Sequence, residues 1–203
     1  MTGSRASLLA AAAEEFAQYG LRGTRIQAIV DRAGVNERMI YHHFGGKEGL
    51  YKATLQDQMT GLHDAWHPKL QEAVALAPYE GMAMALTALA DALASRPALV
   101  GLWLHESLNN WKTLPLPSSD ALPIELQKLY ERGQHEGVFR KDCPFEIAHG
   151  IAMSALIGSA ILARRGDAQA PGPNFDFSLA KTREMTLGQL LDGMTGPAPI
   201  SRP

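Results

Sequence analysis

The stretch "VNERMIYHHFGGKEGLY", residues 35–51, decides the fold of the N-terminal part of this chain. Its apolar positions Ile40 and Phe44 lie four apart, as they do on the inner side of a helix. Asn36 is suited to cap such a helix, and the two glycines after Phe44 are suited to end it. The stretch therefore predicts a short helix from Glu37 to about Phe44, with its other side facing outward.

The outward side of this helix carries an unusual set of side chains. They are Glu37, Arg38, Met39, Tyr41, His42 and His43. A solvated helix would have Glu, Lys or Gln at most of these places, so the Met, Tyr and His residues indicate that a partner covers this side. The alternative is an aromatic ring packed on a small domain beside a solvated arginine.

Two helices precede this segment. The first is predicted from Ser7 to Tyr19, where apolar residues recur at intervals of three and four, and Gly20 follows as a stop. Thr24 lies where the N-cap of the second helix is expected, and Gly34 ends that helix. Two short helices joined by a turn of about three residues form the helix-turn-helix pattern that reads DNA.

A fourth helix is predicted to begin at Lys47. A lysine at a helix start is unfavourable for the helix dipole unless an anion is present. Its ammonium group and the amides of the first turn can both face a phosphate, although an ordinary helix-start lysine is the alternative. The whole segment therefore resembles a surface that faces DNA.

Three long strings carry a resemblance to a known family. They are "LLAAAAEEFAQYG", "GTRIQAIVDRAGV" and "NERMIYHHFGGKEGLYKA". With these strings and the spacings between them, the first 52 residues closely resemble the DNA-binding domain of the tetracycline-repressor (TetR) family of bacterial transcription regulators. The resemblance covers roughly a quarter of the chain.

The resemblance implies roles for eight residues on the DNA side. Thr24 would cap the second helix near the sugar-phosphate backbone, and Tyr41 and Lys47 would bind phosphates. Base edges would be met by Glu37, Arg38 and Met39. His42 would contact the backbone, and Arg25 would reach the groove or a phosphate. Arg25 departs from the small hydroxyl residue usual there. Among the base readers we expect Arg38 first, because arginine pairs with guanine.

The resemblance also implies an all-helical homodimer that binds double-stranded DNA and is not an enzyme. Residues 1–52 would bind DNA, and residues 53–203 would hold a small-molecule effector and the dimer contact. Because an isologous dimer presents two recognition helices about 34 Å apart, the DNA site is expected to be a palindrome. The expected activity is that of a ligand-responsive regulator, most often a repressor.

The remaining chain is predicted to be helical throughout, which gives an all-α protein of about nine helices. Breaks rich in proline and glycine separate helices near residues 79–95, 98–112, 121–136, 144–165 and 175–193. The segment "PFEIAHGIAMSALIGSAILARR" is apolar on most sides and rich in small residues, so it needs burial on two faces. With the last helix it suits a four-helix interface between two subunits.

The segment "LWLHESLNNW" is the predicted effector site. It is richer in polar and aromatic groups than a core helix needs, and an apolar cavity with a few polar groups is what a small-molecule site requires. The candidate residues are Trp103, His105, Glu106, Asn109, Asn110 and Trp111. The alternative, that the tryptophans are core and the polar residues are surface, is equally compatible with the sequence.

The charge, cysteine content and hydropathy of the chain bear on its partners and its location in the cell. The net charge of -2 averages over +2 in residues 1–52 (seven Lys/Arg, five Asp/Glu) and -4 in the remainder (12 and 16), so charge alone does not establish nucleic-acid binding. With one cysteine there is no internal disulfide, and no apolar run approaches the ~20 residues of a membrane helix. A cytoplasmic protein without a membrane partner is therefore expected.

An all-helical enzyme, or a metal or redox sensor, is the rival hypothesis. His63 and His67 lie four apart on one helix face, a spacing that can chelate a metal, but two ligands do not make a site. Cys143 precedes a helix start, where its thiol could be activated. No HExxH pattern, serine elbow or phosphate loop is present, and no cofactor is expected. A helical sensor of another protein is a third option.

Overall fold

The computed structural model describes residues 2–113, 122–166 and 179–196. In these ranges the chain forms nine α-helices and no strand, as the sequence predicts. In chain order they are α1 (Thr2–Gly23), α2 (Ile26–Ala33), α3 (Arg38–Phe44), α4 (Lys47–Ala73), α5 (Pro78–Ala94), α6 (Pro97–Leu108), α7 (Ile124–His135), α8 (Phe145–Gly166) and α9 (Leu179–Thr195).

Most predicted helix ends lie within a few residues of the observed ones. α1 starts earlier than predicted, but its backbone leaves the helical region at Gly20 (φ 67°, ψ 176°), which confirms the break there. The helix predicted over 98–112 instead ends at Leu108, because Asn110 and Trp111 take left-handed φ angles of 56° and 55°. Residues 175–178 of the last predicted helix lie outside the described ranges.

The chain divides into two compact units. The first comprises Met1–Asp64 and Arg96–Leu116, and the second comprises Ala65–Ser95 and Pro117–Pro203. α4 therefore contributes its first part to one unit and its last part to the other. α6 belongs to the first unit although it lies far along the chain from α1 to α3.

The core of the first unit forms where α1, α2, α3 and the start of α4 meet. Its buried residues include Leu8, Leu9, Ala12, Phe16, Ile29, Val30, Ile40, Leu50, Tyr51 and Leu55. α6 adds Leu102 to this cluster. Gly101 allows that approach, since a Cβ at this position would lie only 2.8 Å from the carbonyl oxygen of Ala17 on α1. The same core that holds α3 thus also holds α6.

The second unit is a helical bundle of α5, α7, α8 and α9 with the end of α4. Its core includes Leu70, Met82, Leu86, Leu89, Leu93, Leu126, Leu129, Tyr130, Phe139, Phe145, Leu156, Leu190 and Leu191. Tyr130 stacks on Phe139 with ring centroids 5.2 Å apart, and burial raises its pKa to about 12. Arg132 satisfies the end of α4 by donating to the carbonyl oxygens of Val74 and Leu76.

α8 leaves one apolar side uncovered within the protomer. Ile147 and Ile151 are each 56% exposed and lie four residues apart on one helix face. At Gly150 and Gly158 nothing lies within 4 Å of where a side chain would begin. The stretch Phe145–Leu162 also has the length and apolar composition of a membrane span, which corrects the expectation that no apolar run approaches that length. Among the described residues it is the only unbroken helix of this kind.

Candidate nucleic-acid interface

The turn between α2 and α3 is fixed by its own backbone. Gly34 takes a left-handed conformation (φ 65°), and its amide donates back to the Asp31 carbonyl at 3.3 Å. Asn36 Oδ1 accepts a hydrogen bond from the Arg38 amide at 2.9 Å. The predicted role of Gly34 as helix stop is confirmed. The N-cap position of α3 is Glu37, one residue later than predicted, and the Asn36 side chain accepts from the first residue of the helix. These contacts set the direction in which α3 leaves the turn.

α3 buries one side and presents the other. Ile40 is fully buried and Phe44 is half-buried against the core, as predicted. The exposed side carries Glu37, Arg38, Tyr41 and His42. Tyr41 is 56% exposed, which is a large fraction for an aromatic ring. The interpretation of Tyr41 as a ring packed into a small domain is therefore excluded within the protomer.

Met39 was predicted on the outward side, and the structure corrects this in part. Its side chain is half-buried and packs against the core cluster of the first unit. The reason is geometric: Met39 adjoins Ile40 on a helix of only seven residues, so a long flexible side chain can fold back onto the core. Met39 therefore presents only part of its side chain outward.

The connection from α3 to α4 depends on three glycines. Gly45 ends α3 with a left-handed φ of 73°, and Gly46 has a φ of 134°, which confirms the break predicted there. Gly49, in the first turn of α4, was not singled out from the sequence. A Cβ on Gly49 would overlap the carbonyl oxygen of Phe44. A glycine inside the first turn of a helix was the signal that could have identified it.

Lys47 begins α4 as predicted, three residues after the end of α3. Its Nζ donates to the Arg22 carbonyl at 3.4 Å, so the ammonium group is held beside the end of α1. No acceptor with a full negative charge is bound to it among the described residues. Lys47 is half-buried, so its amine is positioned while part of it still faces solvent.

Thr24 does not cap α2, contrary to the prediction. The N-cap position is Arg25, and the Thr24 hydroxyl instead contacts the carbonyl oxygens of Gly20 at 2.8 Å and Glu15 at 3.0 Å. Thr24 is only 3% exposed, because the chain bends at Gly20 and carries the residue inward. Its side chain joins α1 to the start of α2. Arg25 is exposed and makes no side-chain cap.

Arg32 differs from Arg25, Arg38 and Lys47 because its guanidinium is paired with carboxylates. It pairs with Glu14 and with Glu15, whose side chain is only 8% exposed, and so ties α2 to α1. Within the described residues, no salt bridge joins Arg25, Arg38 or Lys47 to a carboxylate. The charges of Arg25, Arg38 and Lys47 are therefore available to an external anion such as a phosphate.

Comparison with known proteins agrees with this geometry. Residues 8–54 match the family described as bacterial regulatory proteins, tetR family, and residues 78–163 match the tetracyclin repressor-like C-terminal domain. The HTH-type transcriptional repressor NicS of Pseudomonas putida is 31% identical over 160 residues, which cover 76% of this chain and 73% of NicS. The chain belongs to the TetR family. It is a DNA-binding transcription regulator.

Other similarities support the same assignment. The HTH-type transcriptional repressor KstR2 of Mycolicibacterium smegmatis is 28% identical over 152 residues, 71% of this chain and 72% of the relative. A solved structure of a HlyIIR mutant covers 97% of this chain and 98% of its own, with a TM-score of 0.71 at 20% identity. The structure of the fatty acid degradation regulator FadR from Bacillus halodurans aligns with 93% of this chain and over 95% of its own length, with a TM-score of 0.69 at 19% identity. At such identities the two structures show the fold alone.

The residues predicted for the effector site lie on α6 and just after its end, in the first unit. Trp103 and Glu106 are buried in α6, whereas Asn109, Asn110 and Trp111 follow its end. The helix predicted over 98–112 would place Asn110 on the same face as Trp103 and Glu106, but α6 stops at Leu108, so Asn110 is not on that face. His105 is half-buried, and its ring lies against the backbone of Gly20 in α1. A Cβ at Gly20 would lie only 2.8 Å from Nδ1 of His105.

Glu106 has internal partners that explain its burial. Its Oε1 accepts from the Tyr51 hydroxyl at 2.9 Å, and its Oε2 accepts from the Thr113 amide at 3.0 Å. Tyr51 packs edge-on against Phe16, and burial together with the Glu106 carboxylate raises its pKa. A buried carboxylate held in this way stabilises the fold of the first unit. An effector that used Glu106 would have to displace these donors.

A groove of 650 Å³ lies elsewhere, between the last part of α4 and α5. It is lined by Ala65, Lys69, Ala83, Met84, Thr87, Ala88, Asp91, Ala92 and Ser95. None of these residues was predicted for the effector site. In the parts of the chain that the structure describes, no three His, Cys, Asp or Glu residues come together as metal ligands. His63 pairs with the neighbouring carboxylate of Asp64, whose Oδ1 lies 3.3 Å from the Nδ1 of His63.

Proposed function

We propose that this protein is a homodimeric repressor that binds a palindromic operator through α3 and leaves it when a small molecule binds. The observation that carries the proposal is the exposed side of α3, where Arg38, Tyr41 and His42 project from a helix fixed at both ends. In this proposal residues 1–52 bind DNA, and residues 53–203 supply the dimer contact and the effector site. The names of NicS and KstR2, both transcriptional repressors, support repression.

We assign the roles on DNA by position along α3. Glu37 and Arg38 lie at its N-terminal end, where side chains of a recognition helix meet base edges in the major groove. Arginine donates two hydrogen bonds to guanine, and a glutamate accepts from the cytosine amino group. Tyr41, His42, Arg25 and Lys47 would bind the sugar-phosphate backbone. Met39 keeps only a marginal contact, and Thr24 positions α2 through its buried hydroxyl.

The dimer is proposed to form through the exposed side of α8 together with α9. Ile147 and Ile151 would be buried by the same side of a second copy, because a two-fold contact places like residues together. The glycines on α8 would let the two helices approach closely. Such a dimer accounts for the apolar character of Phe145–Leu162 without a membrane, and a regulator that binds the chromosome would be cytoplasmic.

Effector release requires two conformations that differ in the spacing of the recognition helices. A small molecule that binds better to the conformation with the wrong spacing would shift the population away from DNA. The extent of release is limited by the difference between its two affinities. The chemical nature of the effector is left to a screen for compounds that dissociate the protein from a selected operator.

Substituting Arg38 and Lys47 tests the proposed interface. Arg38→Ala should weaken binding to a selected operator by about 1 to 3 kcal/mol and relax the preference at one base position. Lys47→Ala should weaken binding to every duplex and reduce the salt dependence. Binding to the operator and to a scrambled duplex is measured by fluorescence anisotropy at several salt concentrations.

The matched control is Lys128→Ala, which removes an exposed cation from α7 in the second unit. It should leave both affinities unchanged. Equal losses on operator and scrambled duplex for both test variants would contradict the division into base reading and phosphate binding. If neither variant weakens binding, the exposed side of α3 is not the interface.

A further inference from the structure

The first turns of α1 lie against the last turn of α3. The guanidinium carbon of Arg5 lies 5.4 Å from the centroid of the Phe44 ring, within the range of a cation–π contact. One residue earlier, Ser4 Oγ lies 3.3 Å from Nε2 of His43. Leu8 and Leu9, one turn further along α1, are buried in the core of the unit. The end of α1 is therefore anchored, and Arg5 is held beside the C-terminal end of the recognition helix.

Among the described residues, no carboxylate forms a salt bridge with Arg5. Arg5 is exposed, and its contact in the described residues is an uncharged ring. Arg32 differs, because its guanidinium is occupied by Glu14 and Glu15. A guanidinium resting on an aromatic face keeps its N–H donors free along its edges, and that geometry fits the oxygens of a phosphate.

We propose that Arg5 binds a phosphate of the DNA backbone and extends the interface from α3 and Lys47 onto α1. The inference rests on the proposed function, in which the exposed side of α3 faces DNA. Base-reading residues lie at the N-terminal end of α3, whereas Phe44 is its last residue. A recognition helix reads bases with its N-terminal residues, so its other end lies nearer the edge of the groove, where the phosphates are. Arg5 is held at that end.

The position of Arg5 favours a phosphate over a base edge for a second reason. Its guanidinium contacts the ring of Phe44, and Phe44 is itself half-buried against the core. The side chain is therefore drawn toward the protein surface and away from the floor of the groove. A contact of this kind contributes equally on every DNA sequence and depends on salt.

The test compares Arg5→Gln and Arg5→Lys with the unchanged dimer. The probes are a duplex that the protein selects from a random library and a scrambled duplex of the same length. Arg5→Gln should lower the affinity for both duplexes by the same factor. It should also reduce the slope of log affinity against log salt by about 0.9 for each lost phosphate contact, hence about 1.8 for a dimer. Arg5→Lys keeps the charge and should retain most of the slope.

Lys128→Gln is the control for the loss of one positive charge far along the chain from α1. It should change neither slope nor affinity. An unchanged slope in Arg5→Gln, with Arg38→Ala still defective, would overturn the role of Arg5 and leave the α3 interface intact. A loss confined to A·T-rich flanking sequence would overturn the phosphate assignment in favour of a minor-groove contact. If Arg38→Ala and Lys47→Ala also bind normally, the proposed interface itself fails.

Discussion

The exposed sides of α3 and α8 differ in length and in the chemistry of their side chains. α3 has seven residues and presents Arg38, Tyr41 and His42, whereas α8 has 22 residues and presents Ile147 and Ile151. Polar donors that project from a short fixed helix match a charged, hydrated partner such as DNA. Branched apolar side chains beside glycines match another apolar helix surface. The two helices therefore indicate two kinds of partner on one chain.

The means by which each helix is held also differ. α3 is too short to be stable by itself, and it depends on the caps and glycines at its ends as well as on Ile40 in the core. α8 is long and is held by burial along one side, at residues such as Phe145, Ala152 and Leu156. A single substitution at a turn should therefore affect α3 more than α8. A single charge on the exposed side should affect α8 more.

The largest expected effect is on the dimer. Ile151→Glu would place a carboxylate in the proposed apolar contact twice, once from each subunit. The loss of about 1.5 to 3 kcal/mol for each buried isoleucine, counted in both subunits, should raise the dimer dissociation constant by about 100-fold or more. Analytical ultracentrifugation measures the dissociation constant. Leu108→Glu, at an apolar residue of α6 that is 81% exposed, is the control and should leave the dimer intact. A stable Ile151→Glu dimer would rule out this face.

The next effect concerns the junction between α3 and α4. Gly49→Ala places a methyl group on the carbonyl oxygen of Phe44, and relief of that overlap requires the backbone to move. We expect the free energy of unfolding to fall by about 3 kcal/mol and operator binding to weaken with it. Chemical denaturation followed by circular dichroism measures the change. Gly188→Ala in α9, where a Cβ meets nothing within 4 Å, should be neutral or stabilising by up to about 1 kcal/mol. Similar results for both variants would show that the junction tolerates a side chain.

The smallest effect separates a structural role from a DNA contact at Thr24. Thr24→Val removes the hydroxyl that donates to the carbonyl oxygens of Gly20 and Glu15, and should cost about 1 kcal/mol of stability. Because the side chain is buried, the salt dependence of DNA binding should stay the same. Thr24→Ser keeps the hydroxyl and should retain most of the stability. A reduced salt slope in a normally stable Thr24→Val protein would restore the backbone contact suggested by the family resemblance.

Much of the N-terminal unit was predictable because its signals are local. The left-handed Gly34, the Asn36 side chain that accepts from the Arg38 amide, and the glycine pair at 45 and 46 each act within a few residues. Hydrophobic spacing then assigned Ile40 inward and Tyr41 outward. The predictions that failed needed distant neighbours. Thr24 lost its cap role because the bend at Gly20 turns it inward, toward the Glu15 carbonyl.

The segment predicted as the effector site also makes contacts that its local sequence could not predict. Its polar residues predict a ligand site, and in the structure the Glu106 carboxylate accepts hydrogen bonds from Tyr51 and Thr113, of which Tyr51 is 55 positions away along the chain. Sequence spacing could not show that α6 packs in the same unit as α1. A buried carboxylate with internal donors and one that faces a ligand have the same local pattern. Only the hydrogen-bond partners distinguish them.

The sequence by itself determined the helical class, most of the turns and the outward positions of Arg38, Tyr41 and His42 on α3, because helix period and backbone preference depend on neighbouring residues. Tertiary structure alone decided the contact of Arg5 with Phe44, the closeness of Gly49 to the Phe44 carbonyl and the burial of Glu106. Arg5 and Phe44 are brought together by packing of α1 on α3. Such packing depends on the summed shape of a core, and no local pattern specifies it.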